Sequence, residues 1–157
     1  MNLVFWAGMD YITIDTTERI TPEIERAILN LCNCVFTQFD PAYLKSRLTN
    51  VIDPVVTQAV ADKNRLVGFK LGYRSTSTQF YSWLGGVHPD YRRRGVAQQL
   101  MDEQHSWCSA NGYMAIETRT WATNTPMIIL NLRAGFVIVG YETNLAGTAV
   151  VIQRKTL

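Results

Sequence analysis

Residues Val87 to Leu100 read VHPDYRRRGVAQQL. An apolar, strand-like run precedes the turn, Phe80-Tyr81-Ser82-Trp83-Leu84-Gly85-Gly86-Val87, and a helix-like run follows it, Val96-Ala97-Gln98-Gln99-Leu100-Met101. A strand, a tight basic turn holding a glycine and a helix N-terminus together make a diphosphate cradle. Consecutive backbone N–H groups point into such a turn, and the helix dipole adds partial positive charge. Gly95 lets the backbone close on a ligand with no Cβ in between. The segment Arg92 to Ala97 has neither the spaced glycines of a dinucleotide-binding turn nor the Gly-Lys-Ser/Thr ending of a P-loop.

Periodicity and punctuation on either side supply the other elements. Tyr11 to Asp15 alternates as a strand. Thr21-Pro22-Glu23-Ile24-Glu25 starts a helix that runs to about Phe36, and Asp40-Pro41 starts a second that carries Leu44 and Leu48. Val55 to Ala61 and Leu66 to Tyr73 are two strands joined by a hairpin turn at Asp62 to Arg65. Phe80 to Val87 is the fourth strand. Arg94 to about Ala110 is a helix stopped by Asn111-Gly112. Tyr113 to Trp121 is the fifth strand, and Asn124 to Ala134 a helix ending at Gly135. Phe136 to Thr143 and Thr148 to Arg154 close the chain as an antiparallel pair. This order, β-α-α-β-β-β-α-β-α-β-β, predicts an α/β protein of about seven strands and four helices. No repeat or Pro/Gly/Ser linker interrupts it, so residues 1–157 are expected to form one domain. The apolar start, residues 1–8, is an extra strand, an interface element or a start-site artefact.

The turn resembles motif A of the GNAT superfamily, the acyl-CoA-dependent N-acyltransferases. Val87, Pro89, Tyr91, Arg92, Gly95, Val96 and Ala97 fall on that motif's positions. A second stretch, Thr123 to Phe136, resembles motif B. Asn124, Leu130, Gly135 and Phe136 fit its common form, while Met127 and Asn131 replace an alanine and a tyrosine. A subset of the family reads N-x-P-M-x-x-x-N-x-x-x-G-F, which this chain follows closely. The resemblance covers nearly the whole chain from about Met9, with residue-level motifs only in these two stretches. It implies a mixed, mostly antiparallel sheet splayed between its fourth and fifth strands, with the cofactor in the splay. It implies an N-acetyltransferase that moves an acetyl group from acetyl-CoA to a primary amine by direct attack in a ternary complex, without a metal. The expected cofactor-binding residues are Val87, Arg92, Arg93, Arg94, Gly95, Val96, Ala97, Asn124 and Asn131.

The catalytic candidates are Tyr81, Glu117 and Asn131. In many relatives a tyrosine at the Asn131 position protonates the departing thiolate. An amide does not do this usefully near neutral pH, so that proton comes from water, the substrate ammonium or another tyrosine. Asn131 lies two turns from Asn124 and on its face, which suits a hydrogen bond to the cofactor. Backbone N–H groups of the fourth strand polarise the thioester in the family, which fits Val87, and Gly85-Gly86 favours a bulge there. Without a bulge, Tyr81, Trp83 and Gly85 share a face with Val87. Some relatives carry a glutamate base at the position matching Tyr81; a tyrosine there favours a relayed water. Glu117 is the alternative base. His88 and Asp90 read as turn residues and His105 as part of a polar helix face. Phe39, Tyr43, Tyr73, Trp83 and Trp121 line an acceptor pocket or fill the core.

Bulk properties narrow the partners. The chain carries a formal net charge of +2, with 47% hydrophobic and 18% charged residues. The dense basic cluster is Arg92 to Arg94, which a diphosphate already accounts for, so nucleic acid is not the expected partner. No apolar run approaches the ~18 residues of a membrane span, and the start lacks the basic and long apolar regions of a signal peptide. Three cysteines and two histidines make no zinc quartet and read as reduced thiols in the cytoplasm. The late strands, or the segment Leu3 to Trp6, can serve a homodimer. Three readings stay open beside the leading one: a non-catalytic acyl-CoA sensor, transfer of a longer acyl group, and a phosphate or RNA site. The amine acceptor is unidentified.

Overall fold

A capping oxygen and a proline start two of the helices. Thr21 Oγ1 accepts from the Ile24 amide at 3.3 Å ahead of α1 (Pro22–Val35). Asp40 Oδ1 accepts from the Ala42 amide at 2.9 Å ahead of α2 (Pro41–Asn50). Each proline stands where the helix has no use for its missing N–H. The computed structural model describes residues 2–4 and 11–157. It adds α3 (Val96–Ala110) and α4 (Thr125–Arg133). Among the described residues no helix is long and apolar enough to cross a membrane.

The strands are β1 (Asn2–Val4), β2 (Ile12–Thr17), β3 (Ile52–Ala61), β4 (Arg65–Arg74), β5 (Gln79–Val87), β6 (Ala115–Trp121), β7 (Val137–Thr143) and β8 (Ala149–Thr156). They form one sheet in the order β1-β2-β3-β4-β5-β6-β8-β7. Every neighbouring pair is antiparallel except β5 with β6. The expected mixed, mostly antiparallel sheet is present, with β1 added to the seven strands read from the sequence. The fourth and fifth strands of that reading are β5 and β6. Of the first eight residues only Asn2–Val4 are described, and the side chains of Leu3 to Trp6 lie outside the described residues. β3 starts at Ile52 rather than Val55, where Asp53 is tied to Arg74 of β4 by a 2.7 Å ion pair.

Helices cover both faces of the sheet. On one face α1 and α2 bury Ile28, Leu31 and Leu44 against Val56, Phe69 and Leu71. On the other, α3 buries Val96 and Leu100 against Ile14, Ala59 and Val67, and Met101 and Cys108 against Val55, Phe80 and Ile116. Each such apolar side chain contributes about 1.5–3 kcal/mol on leaving water. Burial pushes the Cys32 and Cys108 thiols up to about 12, which leaves them protonated and inert.

The buried stripe of α3 also contains two polar residues, Gln104 and His105. His105 is only 6% exposed, contrary to the polar helix face read from the sequence. Its Nδ1 accepts from Lys155 Nζ at 3.1 Å, and its ring lies 5.4 Å from that of Phe136. Burial, and then the charges of Lys155 and Lys70, lower its pKa to about 3. The folded chain therefore holds His105 neutral while the unfolded chain binds a proton below about 6.5. Stability from this group is intact above pH 6.5 and is lost as pH falls toward 3. Urea unfolding at pH 6.5 and pH 5.0 is expected to show a loss of about 2 kcal/mol that His105→Gln abolishes. An unchanged slope in that variant would assign the acid sensitivity elsewhere.

Candidate active site

The parallel pairing of β5 with β6 is short. Gln79, Phe80, Tyr81 and Ser82 face Ala115, Ile116, Glu117 and Thr118, and there it ends. Trp83 to Val87 have no partner on β6, whose Arg119 to Trp121 pair only with β8. This is the splay expected between the fourth and fifth strands. The His88 amide donates to the Val67 carbonyl at 2.8 Å. Because antiparallel residues alternate between facing toward and away from their partner strand, Val87 and Gly85 turn their amides away from β4, into the gap. A buried network that the sequence reading missed closes the apex of the gap. Thr118 Oγ1 donates to the Ser82 carbonyl at 2.9 Å, Ser82 Oγ donates to Gln104 Oε1 at 3.1 Å, and Gln104 Nε2 donates to the Lys70 carbonyl at 3.3 Å. The helical spacing Leu100, Gln104, Cys108 was the available sign that Gln104 faces inward.

The basic turn borders the gap. Pro89–Tyr91 form a single 3-10 turn, with the Asp90 amide donating to His88 Nδ1 at 3.2 Å, so both residues serve the turn as expected. Tyr91 is buried and carries the Arg94 guanidinium 5.2 Å from its ring centre. Arg92 Nε donates to the Val87 carbonyl at 3.1 Å. Arg93 holds φ at 60° and Gly95 at 76°, two left-handed residues that turn successive amides to one side. α3 starts at Val96 rather than Arg94, and Gly95 gives it no side-chain cap. The first helical bond runs from the Gln99 amide to the Gly95 carbonyl at 3.0 Å. The amides of Val96 and Ala97 thus lie in the uncapped first turn, the kind of helix N-terminus that can hold an anion.

The second motif is divided between two roles. Asn124 is exposed and caps α4, accepting from the Met127 amide at 3.4 Å. Asn131 is turned the other way. It is 2% exposed, and its Nδ2 donates to Gln153 Oε1 at 2.9 Å and Thr120 Oγ1 at 3.5 Å. Gln153 Nε2 in turn donates to the Ile128 carbonyl at 3.2 Å. Asn131 pins α4 to β6 and β8. The amide nitrogen expected to reach the cofactor is already committed to the sheet.

Facing along β5 also differs from simple alternation. Leu71 pairs with Leu84 but Gly72 pairs with Ser82, so Trp83 is the extra residue of a bulge. The bulge was expected at Gly85-Gly86 and falls earlier. It shifts the parity: a Cβ on Gly86 would meet Val35 of α1, whereas Val87 packs with Val96 and Leu100 of α3. Tyr81 and Trp83 stand with Tyr73 and α2, at ring distances of 5.2 Å for Tyr73–Tyr81 and 6.4 Å for Tyr73–Trp83. Tyr81 and Trp83 therefore do not share a face with Val87. The gap opens to α3 on one side and to an aromatic cluster on the other.

Neither candidate base is poised for proton transfer by itself. Burial, reinforced by Tyr73, pushes the Tyr81 phenol up to about 12. Glu117 is next to Tyr81 in register, yet its Oε2 accepts from Arg154 Nη2 at 2.8 Å and from Gln79 Nε2 at 3.5 Å. Of the five aromatics read as pocket or core, Tyr43, Tyr73 and Trp83 cluster around Arg47. Phe39 stacks on Phe36 at 5.6 Å and Trp121 is exposed.

Comparison with known proteins agrees with this geometry. Residues 55–138, more than half of the chain, match the acetyltransferase (GNAT) domain family. No curated protein matches. Among solved structures, the ribosomal-protein-S18-alanine N-acetyltransferase from Escherichia coli superposes with a TM-score of 0.78 at 14% identity, over 92% of this chain and 93% of that one. Ard1 from Thermoplasma volcanium gives 0.76 at 19% identity, over 93% and 97%. A GNAT family acetyltransferase from Elizabethkingia anophelis with acetyl-CoA bound gives 0.76 at 16% identity, over 93% and 98%. The chain belongs to the GNAT acetyltransferase family.

Proposed function

We propose that the protein transfers an acetyl group from acetyl-CoA to a primary amine by direct attack in a ternary complex. The observation that carries this reading is the splay with two backbone amides turned into it, bordered by an uncapped helix N-terminus and a left-handed basic turn. The turn from Arg92 to Ala97 holds the diphosphate, and Asn124, exposed at the head of α4, contacts the cofactor. The amides of Gly85 and Val87 hold the acyl arm and polarise the thioester carbonyl. The amine approaches from the aromatic face, forms a C–N bond to the acetyl carbon as the C–S bond breaks, and passes its proton to water. With Asn131 held in the α4–sheet seam, the thiolate takes its proton from solvent or from the substrate ammonium.

Calorimetric titration with acetyl-CoA, with ATP and NAD as controls, tests the cofactor. Selective binding near one site per chain supports it, and equal binding of ATP leaves only a polyanion site. Turnover across an amine panel then separates an enzyme from an acyl-CoA sensor. Tyr81→Phe and Glu117→Gln are expected to keep kcat/KM within about fivefold, because a water relay needs neither group as the base. Direct general-base catalysis is worth about 100-fold or more, so a loss of that size in either variant would name the base. A homodimer through β7 completes the reading: it is the outer strand and exposes Val137, Ile138, Val139 and Tyr141. Sedimentation as a monomer at micromolar concentration would remove it.

A further inference from the structure

We infer that the amine acceptor is a small molecule bearing a carboxylate, and that Arg47 of α2 binds that carboxylate. The inference rests on the proposed acetyl transfer only for where the amine goes. A pocket of about 360 Å³ opens between α2 and β4, lined by Tyr43, Ser46, Arg47, Asn50, Val51 and Tyr73. Arg47 forms its charged wall. Nη2 donates to Tyr73 Oη at 2.6 Å, and the guanidinium lies 5.4 Å from the Tyr73 ring centre and 5.2 Å from that of Trp83. These contacts fix the plane of the guanidinium before any ligand arrives.

The charge of Arg47 is uncompensated. The ion pairs among the described residues are Arg74–Asp53, His88–Asp90, Arg119–Glu142 and Arg154–Glu117, and none includes Arg47. Its Nε is buried with no hydrogen-bond partner. Arg47 is half-buried, so water satisfies only part of its charge, and a charge taken partly out of water favours an ionic partner. Tyrosine and tryptophan faces attract the cation but offer it no negative charge. A carboxylate in the pocket supplies the missing negative charge and accepts from the Nη groups, in the two-oxygen form that matches the guanidinium fork.

The pocket lies on the aromatic face from which the amine is proposed to approach. Tyr73, one of its walls, contacts Tyr81 at 5.2 Å, and Tyr81 precedes the residue at which β5 and β6 part. An amine near Tyr81 with a carboxylate on Arg47 spans these aromatic faces, which is the arrangement of an amino acid. The same cation disfavours polyamines and other polycationic acceptors.

Matched ligands test this in two ways. L-phenylalanine, L-methionine and L-glutamate are compared with their carboxamides, first as stabilisers of the ligand-free protein in thermal unfolding and then as acetyl acceptors. The expected result is that the free acids raise Tm and the amides do not. At least one acid should exceed its amide in kcat/KM by about 100-fold, the scale set by a hydrogen bond to a charged group. Arg47→Gln should erase that preference through KM while leaving acetyl-CoA affinity unchanged, and Arg47→Lys should restore part of it. Amides that bind and react as well as acids, or a preference that survives Arg47→Gln in folded protein, would overturn the inference. Loss of acetyl-CoA binding in the parent protein would instead overturn the proposed transfer, and the thermal comparison would still decide whether Arg47 holds a carboxylate.

Discussion

Gly95→Glu is expected to raise the dissociation constant for acetyl-CoA by more than about 100-fold while the chain still folds. A carboxylate placed about 4 Å from a phosphate charge is repelled by about 4 kcal/mol at an effective dielectric constant near 20, and 1.4 kcal/mol is tenfold. The position suits the test because a Cβ on Gly95 would meet only Gln99 Nε2, at 3.8 Å. The added Cβ clashes with nothing, and its cost to folding is that of an L-residue at φ 76°, about 1–2 kcal/mol. In a domain of this size that is a loss of about 2–8 °C in Tm. Gly95→Ala carries the same backbone cost without the charge and should lose tenfold or less in affinity. Calorimetry on the three proteins reads all of this. Equal affinity in Gly95→Glu and the parent would remove the cradle from the cofactor site.

Gly72→Ala should destabilise the chain by about 3 kcal/mol or more, the upper range for overpacking a core. A Cβ at Gly72 would overlap the Phe80 ring and come within 2.7 Å of the Tyr81 carbonyl oxygen. Phe80 cannot yield readily: it is fully buried, with the Tyr113 ring at 5.2 Å, the Trp107 ring at 6.1 Å and Ile116 in the same cluster. Gly72 also sits opposite the bulge at Trp83, so relief of the overlap would disturb the facing of Tyr81 and Trp83. Urea unfolding gives the stability. A change below about 1 kcal/mol would mean that the strands slide apart cheaply, and that the bulge is not held by this contact.

Both variants probe features whose origins differ. Sequence by itself determined the strand–turn–helix at Val87 to Leu100, the proline-led helix starts and the order of elements. Each depends on neighbours in the chain: a cap oxygen and an amide three residues on, or a glycine at the head of a helix. Motif A also pointed to the family before the splay was visible.

Only tertiary structure decided which way the site residues face. Gly85-Gly86 has the local character of a bulge, but the inserted residue is Trp83, opposite Gly72, which closes over Phe80 on the neighbouring strand. One extra residue reverses the pleat, which carries Tyr81 to the face opposite Val87. Asn131 is two turns from Asn124, which suited a shared surface, yet its amide is claimed by Gln153 on a strand read much later in the chain. Arg47 looks like any solvated helix arginine until β4 and β5 bring Tyr73 and Trp83 around it. Local pattern sets elements because their hydrogen bonds are short in sequence. Facing and pairing depend on contacts between elements, and those contacts exist only in the assembled sheet.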